Sequence, residues 1–165
     1  MEPELVALSE ALGAACRERG LLVATAESCT GGWAAQVITH TAGSSAWFER
    51  GFVTYTNAAK TDMLGVRMDT ITQFGAVSLE TAGEMAQGAL ANSRASIALA
   101  ITGIAGPTGG SPDKPVGTVC FGWCIKAQDG KMKPSCQRRL FSGDRESIRR
   151  QSVLHALSGL LERIT

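Results

Sequence analysis

Leu21-Leu22-Val23-Ala24-Thr25-Ala26-Glu27-Ser28-Cys29-Thr30-Gly31-Gly32 decides how the rest of the chain is read. Its first four residues form a short apolar run of the length a buried strand needs. After it, Trp33-Ala34-Ala35-Gln36-Val37-Ile38 reads as the first turns of a helix. Only small residues lie between. A strand that turns directly into a helix leaves the first helical N–H groups without intrahelical partners. Those donors, with the positive end of the helix dipole, suit a phosphate, a carboxylate or a developing oxyanion. Ser28 is then placed like an exposed nucleophile. Capping is the commoner use of Ser and Thr at a helix start, so from this stretch alone a cap at Ser28 or Thr30 is the preferred reading.

Working outward, residues 4 to 18 set Leu5, Leu8, Leu12, Ala15 and Cys16 at helical spacing, and Gly20 ends that helix. On the other side, the helix opened by Trp33 runs to about His40 and is broken by Ala42-Gly43-Ser44-Ser45. Phe52-Val53-Thr54-Tyr55 reads as a second strand. Asn57 reads as the cap of a short helix that Gly65 stops. A further helical turn covers Asp69 to Phe74, and a helix starting at Ser78 continues to about Ala91. Ser96-Ile97-Ala98-Leu99-Ala100-Ile101 is a nearly continuous apolar run, the mark of a central strand covered on both faces.

That strand feeds a glycine-rich loop, Thr102-Gly103-Ile104-Ala105-Gly106-Pro107-Thr108-Gly109-Gly110. The loop has neither the Gly-Lys-Ser/Thr ending of a P-loop nor a GxGxxG fingerprint. Its position after a central strand is where α/β sheets carry ligand-contacting loops. Gly117 to Lys126 and Pro134 to Phe141 flank Asp129-Gly130, a strong hairpin signal. Asp144 then caps a long amphipathic final helix. The pattern predicts one α/β domain over residues 1–165: a sandwich with a mixed, mostly parallel sheet that ends in an antiparallel hairpin.

Composition excludes several classes. With 16 basic against 15 acidic residues the chain has no electrostatic footprint for nucleic acid or an anionic membrane. Its start, Met1-Glu2-Pro3-Glu4, is acidic where a signal peptide is basic, and no apolar run is long enough to cross a bilayer. A cytoplasmic location is the expectation. The five cysteines are scattered, with Cys120 and Cys124 on one strand face. The two histidines, His40 and His155, have no metal-ligand spacing. Buried reduced thiols and no metal are expected.

Six segments in register carry a resemblance. They are Thr25 to Gly32, Gly43 to Phe48, Gly51 to Lys60, Gly75 to Ser78, Thr102 to Gly110 and Lys114 to Val119. Together they resemble the CinA C-terminal domain family, which includes the bacterial nicotinamide-nucleotide amidohydrolases, through nearly the whole chain. The resemblance implies a three-layer α/β/α fold with a mixed five-stranded sheet, and the stand-alone form without the N-terminal domain of longer CinA proteins. It also implies hydrolysis of nicotinamide mononucleotide (NMN) to nicotinate mononucleotide and ammonia, within pyridine nucleotide recycling. No metal or cofactor is implied.

Carried over by position, Ser28 matches the family's nucleophile, and Tyr55 and Lys60 its supporting pair. Thr102, Gly103, Gly106 and Gly109 match its substrate loop, and Arg145 an Arg near the start of the last helix. Thr30, Gly31 and Gly32 are expected to join the substrate site through the turn after Ser28. The expected partners are a small nucleotide substrate and a second copy of the chain, a dimer before other homo-oligomers, with no nucleic acid or membrane. An amidase for another small amide and a catalytically silent nucleotide-binding relative fit the same residues.

Elementary chemistry bears on these roles. A serine hydroxyl needs a base. His40 lies about 18 Å along the helix axis from Ser28, and His155 sits mid-helix, so neither is favoured. A Ser–Lys pair is a known variant. Taken alone, Lys60 reads as a solvated charge, Tyr55 as a packed strand aromatic, and Arg145 as a first-turn cation mildly opposed by the helix dipole. That opposition is a reason to expect an anionic partner for Arg145.

Overall fold

Along Ile97-Ala98-Leu99-Ala100-Ile101, large and small side chains alternate, and the alternation sets out the two halves of the molecule. Successive strand residues face opposite sides of a sheet. Ile97, Leu99 and Ile101 enter one hydrophobic core, Ala98 and Ala100 the other. A computed structural model describes all 165 residues. It places this strand, β3 (Ile97–Gly103), at the centre of a five-stranded sheet of order β2-β1-β3-β4-β5. The others are β1 (Val23–Glu27), β2 (Phe48–Val53), β4 (Thr118–Lys126) and β5 (Met132–Leu140). β1 pairs in parallel with β2 and with β3, while β3–β4 and β4–β5 are antiparallel. Only β4 therefore runs against the common direction. The architecture is the expected three-layer α/β/α sandwich with a mixed sheet.

One layer holds α1 (Pro3–Arg19), α2 (Trp33–His40) and α6 (Arg145–Ile164), packed through large side chains such as Trp47, Phe121, Trp123 and Leu157. The other holds α3 (Asn57–Leu64), α4 (Met68–Phe74) and α5 (Leu79–Ala91), and its core is mostly alanine: Ala24, Ala26, Ala86, Ala89, Ala98 and Ala100. The small residues let α5 lie close on the sheet. A Cβ at Gly122 would strike the Ala82 carbonyl, and one at Gly88 the Leu64 carbonyl.

Most elements begin and end within about two residues of the sequence reading. Three places differ, the first being β1, which starts at Val23 rather than Leu21 and runs on to Glu27 rather than Ala24. β2 spans Phe48–Val53, so Thr54 and Tyr55 lie beyond it. It is an edge strand that pairs with β1 from Phe48↔Val23 to Val53↔Glu27, with a register shift that leaves Glu49 unpaired, and it ends where its partner ends. Glu49-Arg50-Gly51 hides this strand from propensity, yet charges are common at sheet edges. The cap of α3 is Thr56, whose Oγ1 accepts from the Ala59 N–H at 3.0 Å, rather than Asn57. Ser78 and Asp144 cap α5 and α6 as expected.

The chain leaves β1 through α2 on one face to reach β2, then crosses the other face by α3–α5 to reach β3. The order of connection thus reverses between β1 and β3. Above their carboxyl ends lies the crevice where open α/β sheets bind ligands.

Candidate active site

Five separated segments meet in that crevice. The turn after β1 contributes Ser28 and Cys29, the β2–α3 connection Tyr55, α3 Asn57 and Lys60, and β3 with its loop Thr102, Gly103 and Ala105. Ala76 and Val77 before α5 and Arg145 at the start of α6 complete a cleft of about 230 Å³. No carboxylate is among these lining residues.

Ser28 lies at the floor, only 7% exposed. Its backbone N–H donates to the Ile101 carbonyl at 3.0 Å, which ties the turn to the neighbouring strand. Lys60 is 2% exposed and directs its Nζ onto Ser28 Oγ at 3.1 Å, Thr54 O at 3.2 Å and Tyr55 O at 3.4 Å. These contacts offer the amine oxygen dipoles but no counter-ion. Burial pushes its pKa below the ordinary lysine value.

The other buried charge is treated differently. Glu27, 1% exposed, turns back over the start of α2. Its Oε1 accepts from Thr30 Oγ1 at 2.7 Å and the Ala34 N–H at 2.8 Å, and its Oε2 from the Ala35 N–H at 3.1 Å. This corrects the expectation for the turn in two respects. Neither Ser28 nor Thr30 caps α2, because the Glu27 carboxylate, six residues before Trp33, does so. The Ala34 and Ala35 donors expected to face outward are also occupied. The N–H groups of Cys29 and Thr30 remain without a partner in the chain.

Thr30, Gly31 and Gly32 fall outside the cleft. The Thr30 side chain is buried against Glu27, and both glycines adopt positive φ (60° and 100°) to carry the chain into α2. They line a separate depression with Trp33, Gln36 and Arg149. Thr102 lines the cleft, where its Oγ1 donates to Ala76 O at 2.8 Å, and Gly103 lies beside it. Gly106 and Gly109 are not among the lining residues. Gly106 instead offers its carbonyl to Arg145 Nη1 at 2.7 Å.

Tyr55 is neither a strand residue nor packed in the core, since it is 58% exposed. Its hydroxyl accepts from Arg145 Nη2 at 3.1 Å, and its main-chain carbonyl, not the phenol, reaches Ser28 and Lys60. His40 ends α2, and His155 pairs with Gln137 beneath an aromatic cluster. Both are away from the cleft. Cys29 lines it, but burial pushes that thiol up to about 12.

Arg149, assigned no role from sequence, also holds the turn. Its Nε donates to Cys29 O at 3.0 Å and its Nη2 to Thr30 O at 3.2 Å. The four-residue spacing from Arg145, which puts both on one face of the helix, was the available signal.

Residues 5–164 match the family model of the CinA C-terminal domain. The chain belongs to the CinA C-terminal domain family. Among its relatives, "Nicotinamide-nucleotide amidohydrolase PncC" of Escherichia coli K12 is 55% identical over 159 residues, covering 96% of this chain and 94% of that protein. The protein of the same name from Pseudomonas putida is 52% identical and covers 98% of each. A solved structure, the competence/damage inducible protein CihA from Agrobacterium tumefaciens, superposes with a TM-score of 0.90 at 48% identity. It covers 98% of this CinA domain and 96% of that chain.

Proposed function

We propose that the protein hydrolyses the carboxamide of NMN to nicotinate mononucleotide and ammonia, through an acyl-enzyme on Ser28 with Lys60 as the base. The observation that carries this assignment is the Lys60 amine, buried without a carboxylate and 3.1 Å from Ser28 Oγ. The amidohydrolase names of relatives more than 50% identical over nearly their whole length support the substrate.

A neutral amine has two N–H groups and one lone pair. With the N–H groups on the Thr54 and Tyr55 carbonyls, the lone pair is free for the Ser28 proton. As that proton moves to Lys60, Oγ bonds to the carboxamide carbon and the C=O π pair moves onto oxygen. The cationic pyridinium makes this carbon electron-poor and eases attack. The unpartnered N–H groups of Cys29 and Thr30 are the nearest main-chain donors for the oxyanion. When the tetrahedral adduct collapses, the C–N bond breaks and the Lys60 ammonium protonates the leaving nitrogen, giving ammonia and the acyl-serine. Water, deprotonated by the same amine, then adds to the ester and releases nicotinate mononucleotide and Ser28.

Arg145 supplies the fixed positive charge of the cleft, and the substrate phosphate is its counterpart. Its N–H groups already hold Gly106 O and Tyr55 Oη, so it arrives oriented. Such a reaction returns the pyridine mononucleotide to NAD synthesis, and we place it in the cytoplasm. Incubating the purified protein with NMN and measuring ammonia tests the proposal. Release expected from NMN must disappear in Ser28→Ala, and no release from NMN, or full release by Ser28→Ala, refutes it.

A further inference from the structure

Arg149 faces the back of the nucleophile turn while Arg145, one helical turn earlier, faces the cleft. Its guanidinium carbon lies over the Trp33 ring, 5.5 Å from the centroid, and its fork holds two successive carbonyls, Cys29 O at 3.0 Å and Thr30 O at 3.2 Å. The peptide joining Cys29 to Thr30 is trans. A trans peptide points its C=O and N–H to opposite edges. Tying the Cys29 carbonyl to Arg149 therefore turns the Thr30 N–H away from Arg149. The Ser28 N–H is engaged on Ile101 O and the Gly31 N–H on Ser28 O, so the free donors next to the nucleophile are the N–H groups of Cys29 and Thr30. Of these only the Thr30 N–H belongs to the peptide whose carbonyl Arg149 holds. The Thr30 N–H has no partner.

We propose that Arg149 is a positioning residue for the reaction. It fixes the Cys29–Thr30 peptide so that the Thr30 N–H meets the oxyanion formed at Ser28. Its charge on the carbonyl also polarises that peptide and strengthens the N–H as a donor. This rests on the acyl-transfer reading above. The Glu27 contacts fix the start of α2, and Arg149 fixes the peptide between it and the nucleophile. Lysine, a point charge without a fork, holds one carbonyl but not both.

The test compares the wild type with Arg149→Met and Arg149→Lys, and with Arg150→Met as a control. Arg150 pairs with Glu2 and Glu4 on the surface, away from the cleft. Turnover is measured with NMN. Binding is measured with two probes: the planar product, and the NMN analogue bearing an aldehyde in place of the carboxamide. Ser28 Oγ adds to that aldehyde carbon, its proton goes to Lys60, and the carbonyl oxygen takes the electron pair.

Losing one oxyanion donor costs about 10²–10³ in kcat. A misdirected donor is expected to cost about 10–100-fold in Arg149→Met, with KM within about threefold. Aldehyde binding should weaken by a similar factor and product binding should hold. Arg149→Lys should fall between, and Arg150→Met should match the wild type. Unchanged kcat in a folded Arg149→Met overturns the proposal. So does equal weakening of aldehyde and product, which marks a purely structural staple between α6 and the turn. A wild-type protein that releases no ammonia from NMN, or a fully active Ser28→Ala, overturns the acyl-transfer reading itself and this proposal with it.

Discussion

Glu27 and Lys60 are the two ionisable side chains buried deepest beside the cleft, 1% and 2% exposed, and the chain surrounds them in opposite ways. Glu27 ends β1 and accepts from Thr30, Ala34 and Ala35 at the positive end of a helix. Its charge is matched by donors. Lys60 meets only a hydroxyl and two carbonyls, and burial lowers its pKa. A buried charge whose partners fully satisfy it holds structure in place. One denied a counter-ion is held ready to give up its proton, and that readiness makes Lys60 fit to activate Ser28.

The largest effects should come from breaking the Lys60 side of the contrast. Lys60→Met and Lys60→Arg should each lose about 10³-fold or more in kcat. Arginine keeps the charge but cannot deprotonate. In the wild type, kcat/KM should rise with pH through the lowered lysine pKa and then level off. Removing the lysine should cost activity but not stability. In the window between the lowered folded pKa and the ordinary lysine value of about 10.4, the unfolded chain binds the extra proton, so wild-type stability climbs with pH. Lys60→Met should therefore melt at or above the wild-type temperature near neutral pH, with an advantage that narrows in alkali. Near wild-type turnover in Lys60→Arg would show that Lys60 only supplies charge, and the base would then have to be sought elsewhere.

Glu27 variants should fail in folding before they fail in chemistry. Glu27→Ala orphans two backbone N–H groups and a threonine hydroxyl, a loss of about 2–4 kcal/mol in urea unfolding. Glu27→Gln, which keeps one acceptor oxygen, should lose less. A fully folded but inactive Glu27→Gln would erase the distinction drawn between the two residues.

A third charge sharpens the contrast. Arg145 is neither satisfied by a carboxylate nor stripped of water, and its N–H groups are held by Gly106 and Tyr55 at the cleft. Charged hydrogen bonds contribute about 1.5–3 kcal/mol each. Arg145→Ala should therefore lower kcat/KM for NMN by about 10–100-fold, and should hardly affect nicotinamide riboside, which the wild type should use poorly. Comparable kcat/KM for the riboside and NMN in the wild type would remove the phosphate from Arg145.

The layers were legible because the apolar run of β3 and the hairpin at Asp129-Gly130 are local signals. The contents of the cleft were not legible from spacing. Ser28 and Lys60 are 32 positions apart, and they meet only because β1 and β2 pair in parallel and α3 turns back over their ends. The motif resemblance named both residues, but residue types alone made Lys60 a solvated charge. The misjudged turn has a physical reason as well. Capping rules look for Ser or Thr immediately before the helix, whereas here the capping carboxylate stands six residues before Trp33, at the end of the strand. Arg149 was missed because its partners are carbonyls, which carry no side-chain signature.

The smallest effect expected is at Cys29, immediately beside the nucleophile. A thiolate is intrinsically the better nucleophile, so its position invites the opposite assignment. Two features argue against it. Burial pushes its pKa up to about 12, with the Glu27 charge acting in the same direction, so near neutral pH the thiol stays protonated. The Lys60 amine also makes its contact with Ser28 Oγ, and no hydrogen bond joins it to the thiol. Cys29→Ala should keep kcat within about threefold, and iodoacetamide should inactivate the wild type no faster than it inactivates Cys29→Ala. Ser28→Ala should be inactive in the same assay. If activity instead follows the thiol, with Cys29→Ala dead and Ser28→Ala active, the nucleophile is Cys29 and the Lys60–Ser28 contact is structural.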